Sequence, residues 1–297
     1  MPLRVGVVGL GIMGSAYGGH LLDAGCETIG FDVAEDAMRR FGERGGRCAA
    51  TPGALARDVD VVISALPSIA AGEAAFFGAD GVSTAAHAGL IVVEASTLPL
   101  RTKESFRSRL AERGIAMLDA PVSGTGSQAQ LKDIVIYASG ERDAYERALP
   151  ALEHVARAVR YVGEFGNGSK LKYIANLLVT IHNLSTAEAV VLAQKAGLDA
   201  QQMLDVVGDG AGGSRMLQVR GPMMVAGDYG DAAMKLDIYQ KDIDIIDAFA
   251  KEVGAPTPLF TQSTLFYTAA LAQGRAKQDT AAIASILKTM AGLPPDP

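Results

Sequence analysis

Through the first half of the chain, short apolar runs alternate with amphipathic stretches. Leu3 to Val8, Thr28 to Phe31, Val59 to Ala65, Gly89 to Glu94, Ile115 to Asp119, Asp133 to Ser139 and Ala158 to Tyr161 read as strands. Ile12 to Asp23, Leu100 to Arg113 and Ala144 to Ala151 read as helices between them. That alternation is the pattern of a parallel sheet with crossover helices. After Gly163 the period changes. Leu171, Ile174, Leu178, Ile181 and Leu184 recur at intervals of three and four, which predicts a helix from Ser169 to Lys195 stopped by Gly197. Further helices are expected near 200–207, 234–253, 258–273 and 280–290, with no strand among them. The expected architecture is an α/β domain over residues 1–163 followed by an all-α domain over 164–297. The tail from Leu293 to Pro297 is expected to fray.

The first strand runs into Gly9-Leu10-Gly11-Ile12-Met13-Gly14, which opens the first helix. In a loop of this kind the first glycine permits a tight turn, the second lets the backbone approach a pyrophosphate, and the third lets helix and strand pack closely. The helix N-terminus then offers N–H groups and positive potential to phosphates. A Rossmann-type dinucleotide-binding domain follows from that context. Asp32 ends the second strand at the distance where a carboxylate accepts hydrogen bonds from the adenosine ribose hydroxyls and repels a 2′-phosphate. No arginine stands beside it, so NAD is favoured, while Arg39 and Arg40, a turn or two later, are within reach of a 2′-phosphate and leave NADP open. As a bland alternative, Asp32 is a turn residue.

Three further segments leave strands at the edge where open α/β sheets bind ligands. Ala65-Leu66-Pro67 and Glu94-Ala95-Ser96-Thr97-Leu98-Pro99 are two, with Ser96 and Thr97 equally readable as caps of the next helix. Asp119-Ala120-Pro121-Val122-Ser123-Gly124 is the third. Its serine hydroxyl and backbone N–H groups suit a carboxylate, and a plain Pro-Gly turn accounts for the composition as well.

In the second half, Lys172 and Asn176 lie four apart and so share a helix face, continued by Asn183. A lysine on a helix ordinarily snorkels to solvent, as expected of Lys170. A polar stripe on an otherwise apolar helix points instead to a lined cleft. His20, His87, His154 and His182 form no cluster and no metal-ligand spacing occurs, which leaves Lys172 as the best acid–base group.

A net charge of −6 without any run of Lys and Arg argues against a nucleic-acid surface. Cys26 and Cys48 have no redox or metal spacing and fit a reducing, cytoplasmic compartment. The N-terminal segment is too short for a signal peptide. The apolar stretch from Ile174 to Leu192 carries Asn176, His182, Asn183 and Glu188, which marks a buried helix rather than a membrane span.

Taken together, these motifs resemble those of the β-hydroxyacid dehydrogenases, the group containing 3-hydroxyisobutyrate dehydrogenase, tartronate semialdehyde reductase and, more distantly, 6-phosphogluconate dehydrogenase. GLGIMG, ALP at 65–67, EASTLP at 94–99, DAPVSG at 119–124, GNGSKLKYIAN at 166–176 and Gln240-Lys241-Asp242 occur in the family's order along essentially the whole chain. The resemblance implies hydride transfer between NAD(P) and a small 3-hydroxy acid, with Lys172 catalytic and Asn176 its helper. It implies substrate contacts at Ser123, Gly124 and Thr125, and cofactor contacts at Gly9, Leu10, Gly11, Ile12, Met13, Gly14, Asp32, Leu66, Pro67, Thr97 and Lys241. It also implies a homodimer or homotetramer formed through the helical half. A dinucleotide sensor without catalysis and an imine reductase of the same fold are the alternatives, and Lys172 counts against both. Thr125 replaces the family's second glycine, the following GSQAQLKD departs from its usual loop, and Ala175 replaces an asparagine. The stretch from Ser123 to Lys132 is therefore expected to decide the substrate.

Overall fold

The computed structural model describes residues 3–85, 87 and 89–296, which form two compact units, Met1–Lys172 and Tyr173–Pro297. In the first unit the chain runs β1 (Arg4–Val8), α1 (Ile12–Asp23), β2 (Glu27–Phe31), α2 (Glu35–Glu43), β3 (Arg47–Cys48), α3 (Pro52–Arg57), β4 (Val61–Ser64), α4 (Ile69–Phe77), β5 (Ile91–Glu94), α5 (Leu100–Ala111) and β6 (Ala116–Asp119). The six strands are parallel in the order β3-β2-β1-β4-β5-β6. Chain order reverses between β1 and β4, which is the switch point where such sheets open a crevice.

Strand periodicity sorts the core onto two faces. Val5, Val7, Val61, Ile63, Ile91, Val93 and Leu118 pack on one side with Ala16, Tyr17 and Leu21 of α1. Val62, Val92 and Met117 pack on the other with Leu55 of α3, Phe76 of α4 and Phe106 of α5. Buried on both sides, these strands read as apolar runs rather than alternations.

Past β6 the structure departs from the expected single sheet. β7 (Val122–Ser123), α6 (Gly126–Gln130), β8 (Val135–Ala138), α7 (Arg142–Val155) and β9 (Ala158–Tyr161) form a separate three-stranded sheet, antiparallel between β7 and β8 and parallel between β8 and β9. Reciprocal backbone bonds between Asp119 and Ser139 join it to β6. Val122 and Ser123, expected as a strand exit, are themselves a strand. β3 is likewise absent from the sequence reading, because two residues carry no period.

The second unit is helical. α8 (Asn167–Lys195) is followed by α9 (Ala200–Gly208), α10 (Arg215–Ala226), α11 (Leu236–Glu252), α12 (Pro258–Ala272) and α13 (Ile283–Met290). α8 ends as expected, with Gly197 at a positive φ of 74°. α10 was not expected because Gly221 and Pro222 interrupt its pattern. The glycine has a packing reason: a Cβ there would come within 2.7 Å of Leu204 on α9. α8 is long and apolar enough to cross a membrane by composition. Its Asn176, Thr180 and Asn183 are nonetheless buried and bonded to protein groups. The tail is docked rather than frayed. Lys288 Nζ lies 2.6 Å from Asp296 Oδ1, and the Tyr229 hydroxyl donates to Asp296 Oδ2 at 3.0 Å. Pro297 lies outside the described residues.

Burial pushes the phenols of Tyr17, Tyr239 and Tyr267 above their ordinary value. A raised folded-state value means stability that is present below the unfolded value near 10 and lost above it. The melting temperature should therefore hold up to about pH 10 and fall steeply above it, each phenol contributing up to ~1.4 kcal/mol per pH unit. A flat alkaline limb would contradict this burial.

Candidate active site

At the switch point the glycine loop has three distinct constraints. Gly9 adopts φ 91°, and a Cβ there would lie 2.4 Å from the Ala65 carbonyl oxygen. At Gly14 a Cβ would lie 1.7 Å from the Gly9 carbonyl oxygen, so α1 and β1 touch only because it is glycine. Gly11 is different, because a Cβ there would meet nothing within 4 Å. Its absence keeps the approach to the backbone open. Gly11 also stands at the N-cap of α1 with no side-chain cap and no acidic residue in the first turn. The orphan amides of that turn therefore fit a pyrophosphate. Leu10 turns its side chain into the core and Met13 packs against it, whereas Ile12 is exposed. Here the backbone rather than the side chains offers the binding groups.

Asp32 follows β2 and accepts from Leu10 N at 2.6 Å and Ala34 N at 2.8 Å. It is thus a turn residue and a staple for the glycine loop at once. Each carboxylate oxygen has a second lone pair, so the ribose role is not displaced. Arg39 bonds to Asp36 and Glu43 on its own exposed helix, and Arg40 is exposed.

Across the switch point, Leu66 N donates to Ser96 Oγ at 2.8 Å, and Ser96 N donates to Glu94 Oε1 at 3.0 Å. Ser96 therefore ties two strand exits together and does not cap α5, whose N-cap position is Pro99 and carries no side-chain cap. Pro67 precedes Ser68, the cap of α4, and Thr97 is half-buried. Beneath these turns lies a buried cluster that the sequence reading missed. Lys103 Nζ is 2.7 Å from Glu94 Oε2 and 2.8 Å from Asp119 Oδ1, and all three side chains are wholly buried. Burial opposes the ammonium charge, but the two carboxylates outweigh it and hold Lys103 above its ordinary value. In sequence, Lys103 sits among surface residues of α5. The available signal was two carboxylates ending adjacent buried strands, which require a cation.

Ser123 ends β7 and is half-buried. Gly124 needs its φ of 142°, and a Cβ there would come within 2.6 Å of Ile134. Thr125 is committed elsewhere. It caps α6 in a reciprocal box, its backbone N donating to Gln128 Oε1 at 3.0 Å and its hydroxyl accepting from Gln128 N at 3.4 Å. Gln128 in turn bonds to Asp133, which pairs with Arg157.

In the first turn of α8 is Ser169, whose N and Oγ both donate to the Asp119 carboxylate, at 2.7 and 2.8 Å. Three residues on is Lys172, half-buried, while Lys170 is exposed and reaches Asn167, as expected of a surface lysine. In the second unit Asn176 is buried and donates through Nδ2 to Asp242 Oδ2 at 2.9 Å. Asp242 is held from its other oxygen by Lys241 Nζ at 2.9 Å. Asp242 fixes which end of the Asn176 amide is spent, a role that spacing alone does not reveal. The expected polar stripe stops there. Asn183 is buried among Tyr267 and Thr280, to which its amide donates, and belongs to the core rather than to a cleft.

Residues 4–163 match the family described as the NAD binding domain of 6-phosphogluconate dehydrogenase, and residues 166–287 the one described as NAD-binding of NADP-dependent 3-hydroxyisobutyrate dehydrogenase. The chain is 34% identical to an L-threonate dehydrogenase of Cupriavidus necator, over 96% of both chains. It is also 34% identical to an L-threonate dehydrogenase of Haemophilus influenzae, over 95% of this chain and 94% of that one. Among solved structures, a 3-hydroxyisobutyrate dehydrogenase from Salmonella typhimurium superposes with a TM-score of 0.86 at 33% identity, covering 96% of this chain and 99% of that one. The chain belongs to the β-hydroxyacid dehydrogenase family.

As a member of that family it is an NAD(P)-dependent 3-hydroxyacid dehydrogenase. Its glycines then make a paired prediction. Gly11→Ala, already at φ −66° in an extended conformation, should leave the folding stability within about 0.5 kcal/mol of wild type while weakening dinucleotide binding at least ~10-fold. Gly14→Ala should lower the melting temperature as well, because its Cβ meets backbone. Titration of NADH fluorescence beside thermal melts distinguishes the two, and equal binding by Gly11→Ala would remove the loop from the cofactor site.

Proposed function

We propose that this dehydrogenase oxidises the hydroxyl-bearing carbon of a small 3-hydroxy acid reversibly, with Lys172 as general acid/base and Asn176 as its helper. The observation that carries the reading is the half-buried Lys172 one helical turn before Asn176, whose amide is already oriented by Asp242. When bound, the nicotinamide supplies the hydride acceptor. Lys172, in its neutral form, takes the hydroxyl proton onto Nζ as the carbon gives up its hydride, and returns it in the reductive direction. A free lysine titrates too high for this, so partial burial and the positive nicotinamide are asked to lower it. Asn176 keeps its Oδ1 and one N–H for the same oxygen or for Lys172, adding no charge.

Ser123 and the backbone N–H groups near Gly124 are assigned to the carboxylate end, which fixes the carbon presented for transfer. Thr125 is retained there through its place in the loop, its hydroxyl serving the helix cap. The relatives named L-threonate dehydrogenase put L-threonate first among substrates to test, followed by 3-hydroxyisobutyrate, glycerate and 3-hydroxypropionate. NAD is preferred over NADP, on the strength of Asp32 and of an Arg39 already paired with two carboxylates. A homodimer or homotetramer through the helical unit fits the exposed Leu192, Leu198, Val206, Leu259 and Leu265.

The test is that panel of acids with both cofactors, followed by nicotinamide absorbance. Lys172→Ala should lower kcat by ~10²–10⁴ while leaving NADH affinity near wild type. Rates close to wild type in that variant would overturn the assignment of Lys172.

A further inference from the structure

Among the described residues the side chains of the buried Lys103 cluster are bonded to one another and to Ser96, Ser139 and Ser169, and its two arms lead towards the cofactor-side turn and the start of α8. One arm runs from Lys103 through Glu94 to Ser96, and from the Ser96 hydroxyl to the backbone N of Leu66 on the cofactor-side turn. The other runs through Asp119 to the N and Oγ of Ser169, three residues ahead of Lys172. Ser139 reinforces the second arm. Its hydroxyl, shared between the Asp119 carbonyl oxygen at 3.0 Å and Asp119 Oδ2 at 3.3 Å, accepts from Gly168 N at 3.0 Å. A Cβ at Gly168 would lie 2.3 Å from the Tyr137 carbonyl oxygen and 2.8 Å from that of Asp119, so the start of α8 sits directly on the strand ends.

Charge explains why this seat is specific. One ammonium and two carboxylates leave the cluster one negative charge in excess, inside a wholly buried site. The first turn of a helix as long as α8 presents roughly half a positive charge together with unpaired N–H groups. Seating α8 on Asp119 therefore supplies the compensation that the cluster lacks. Sliding or tilting the helix would leave Asp119 under-bonded at substantial cost.

We propose that Lys103 is a positioning residue which sets the start of the catalytic helix, and with it Lys172, in register with the cofactor-side turn at Leu66. The proposal rests on the roles assigned above to Lys172 and to the strand-end turns. It goes beyond a stabilising role because each arm governs a different property of the enzyme.

Three variants separate the arms. Ser169→Ala, a near-isosteric change, should lower kcat about 10- to 100-fold through misplacement of Lys172, with NADH affinity retained. Ser96→Ala strands the N–H of Leu66 and should raise the dissociation constant for NADH by about 10-fold. Lys103→Met should do both if it folds. If it does not, the two serine variants still decide. Position is read without turnover by reductive 13C-methylation of the lysines, with the Lys172 resonance identified by its loss in Lys172→Arg. In Ser169→Ala the shift of that resonance on NADH binding should change, and in Ser96→Ala the shift at saturating NADH should match wild type. The proposal is overturned if the Lys172 resonance of Ser169→Ala behaves as in wild type, or if NADH affinity is unchanged in Ser96→Ala. It is also overturned if both variants lose only thermal stability. Wild-type protein that oxidises no acid in the panel would count against the assigned reaction alone, since NADH titration and the lysine resonance still judge the register.

Discussion

A lysine with no solvent exposure is tolerable only when its own charge is answered, and Lys103 meets that condition with Glu94 and Asp119. The two carboxylates are the last residues of neighbouring parallel strands, and the lysine comes from the helix between those strands. Much of the first unit's upper edge is bonded outward from this cluster. Ser96 and Leu66 are held through Glu94, and Ser139, Gly168 and Ser169 through Asp119. Buried ion clusters of this kind contribute less to net stability than their short distances suggest, because the desolvation of three charges offsets the attraction. Their effect is geometric. Few other arrangements of these elements satisfy the same groups, so the strand ends, the turns after them and the start of α8 are fixed together.

The glycine loop and the helix periods were legible in the sequence because each rests on a local rule. Gly9 answers its own positive φ and Gly14 a carbonyl five residues before it, and α8 announces its length through an unbroken apolar period. β7 and β3 were not legible, since a two-residue strand is defined by its partners rather than by its own pattern. α10 was hidden because Gly221 serves a neighbour, Leu204, from a different helix. Lys103 was hidden for the same reason in reverse: its own helix reads as surface, and only the strand ends beneath it call for a charge. Long-range satisfaction of polar groups leaves little trace in a single sequence.

The same distinction bears on the residues proposed to carry the chemistry. Lys172 and Asn176 are nominated by spacing on one helix, which is a local property. Asp242, which spends one end of the Asn176 amide, lies 66 positions away and follows only from the fold. Asn183 passed the same spacing test as Asn176 and is a core residue, because Tyr267 and Thr280 happen to meet it. A helical stripe therefore nominates polar residues, and their partners decide which of them remain available for chemistry.

That logic also locates where this chain can differ from its relatives. The chain beyond Gly124 is closed on itself: Thr125 caps α6, Gln128 bridges to Asp133, and Asp133 pairs with Arg157. A Cβ at Gly126 would lie 2.3 Å from Ile12 of the glycine loop, so α6 rests against α1 with little room to move. Where a flexible glycine would let the loop adapt, Thr125 sets a helix start, and its hydrogen bonds are met before any substrate arrives. Under the proposed assignment, a loop so fixed would discriminate by the shape it presents rather than by adjusting to its ligand, and that shape would be carried by Ser123, Gly124 and the rim of α6. The proposed acid–base groups could then remain those of the family while the substrate is chosen by a segment whose sequence departs from it.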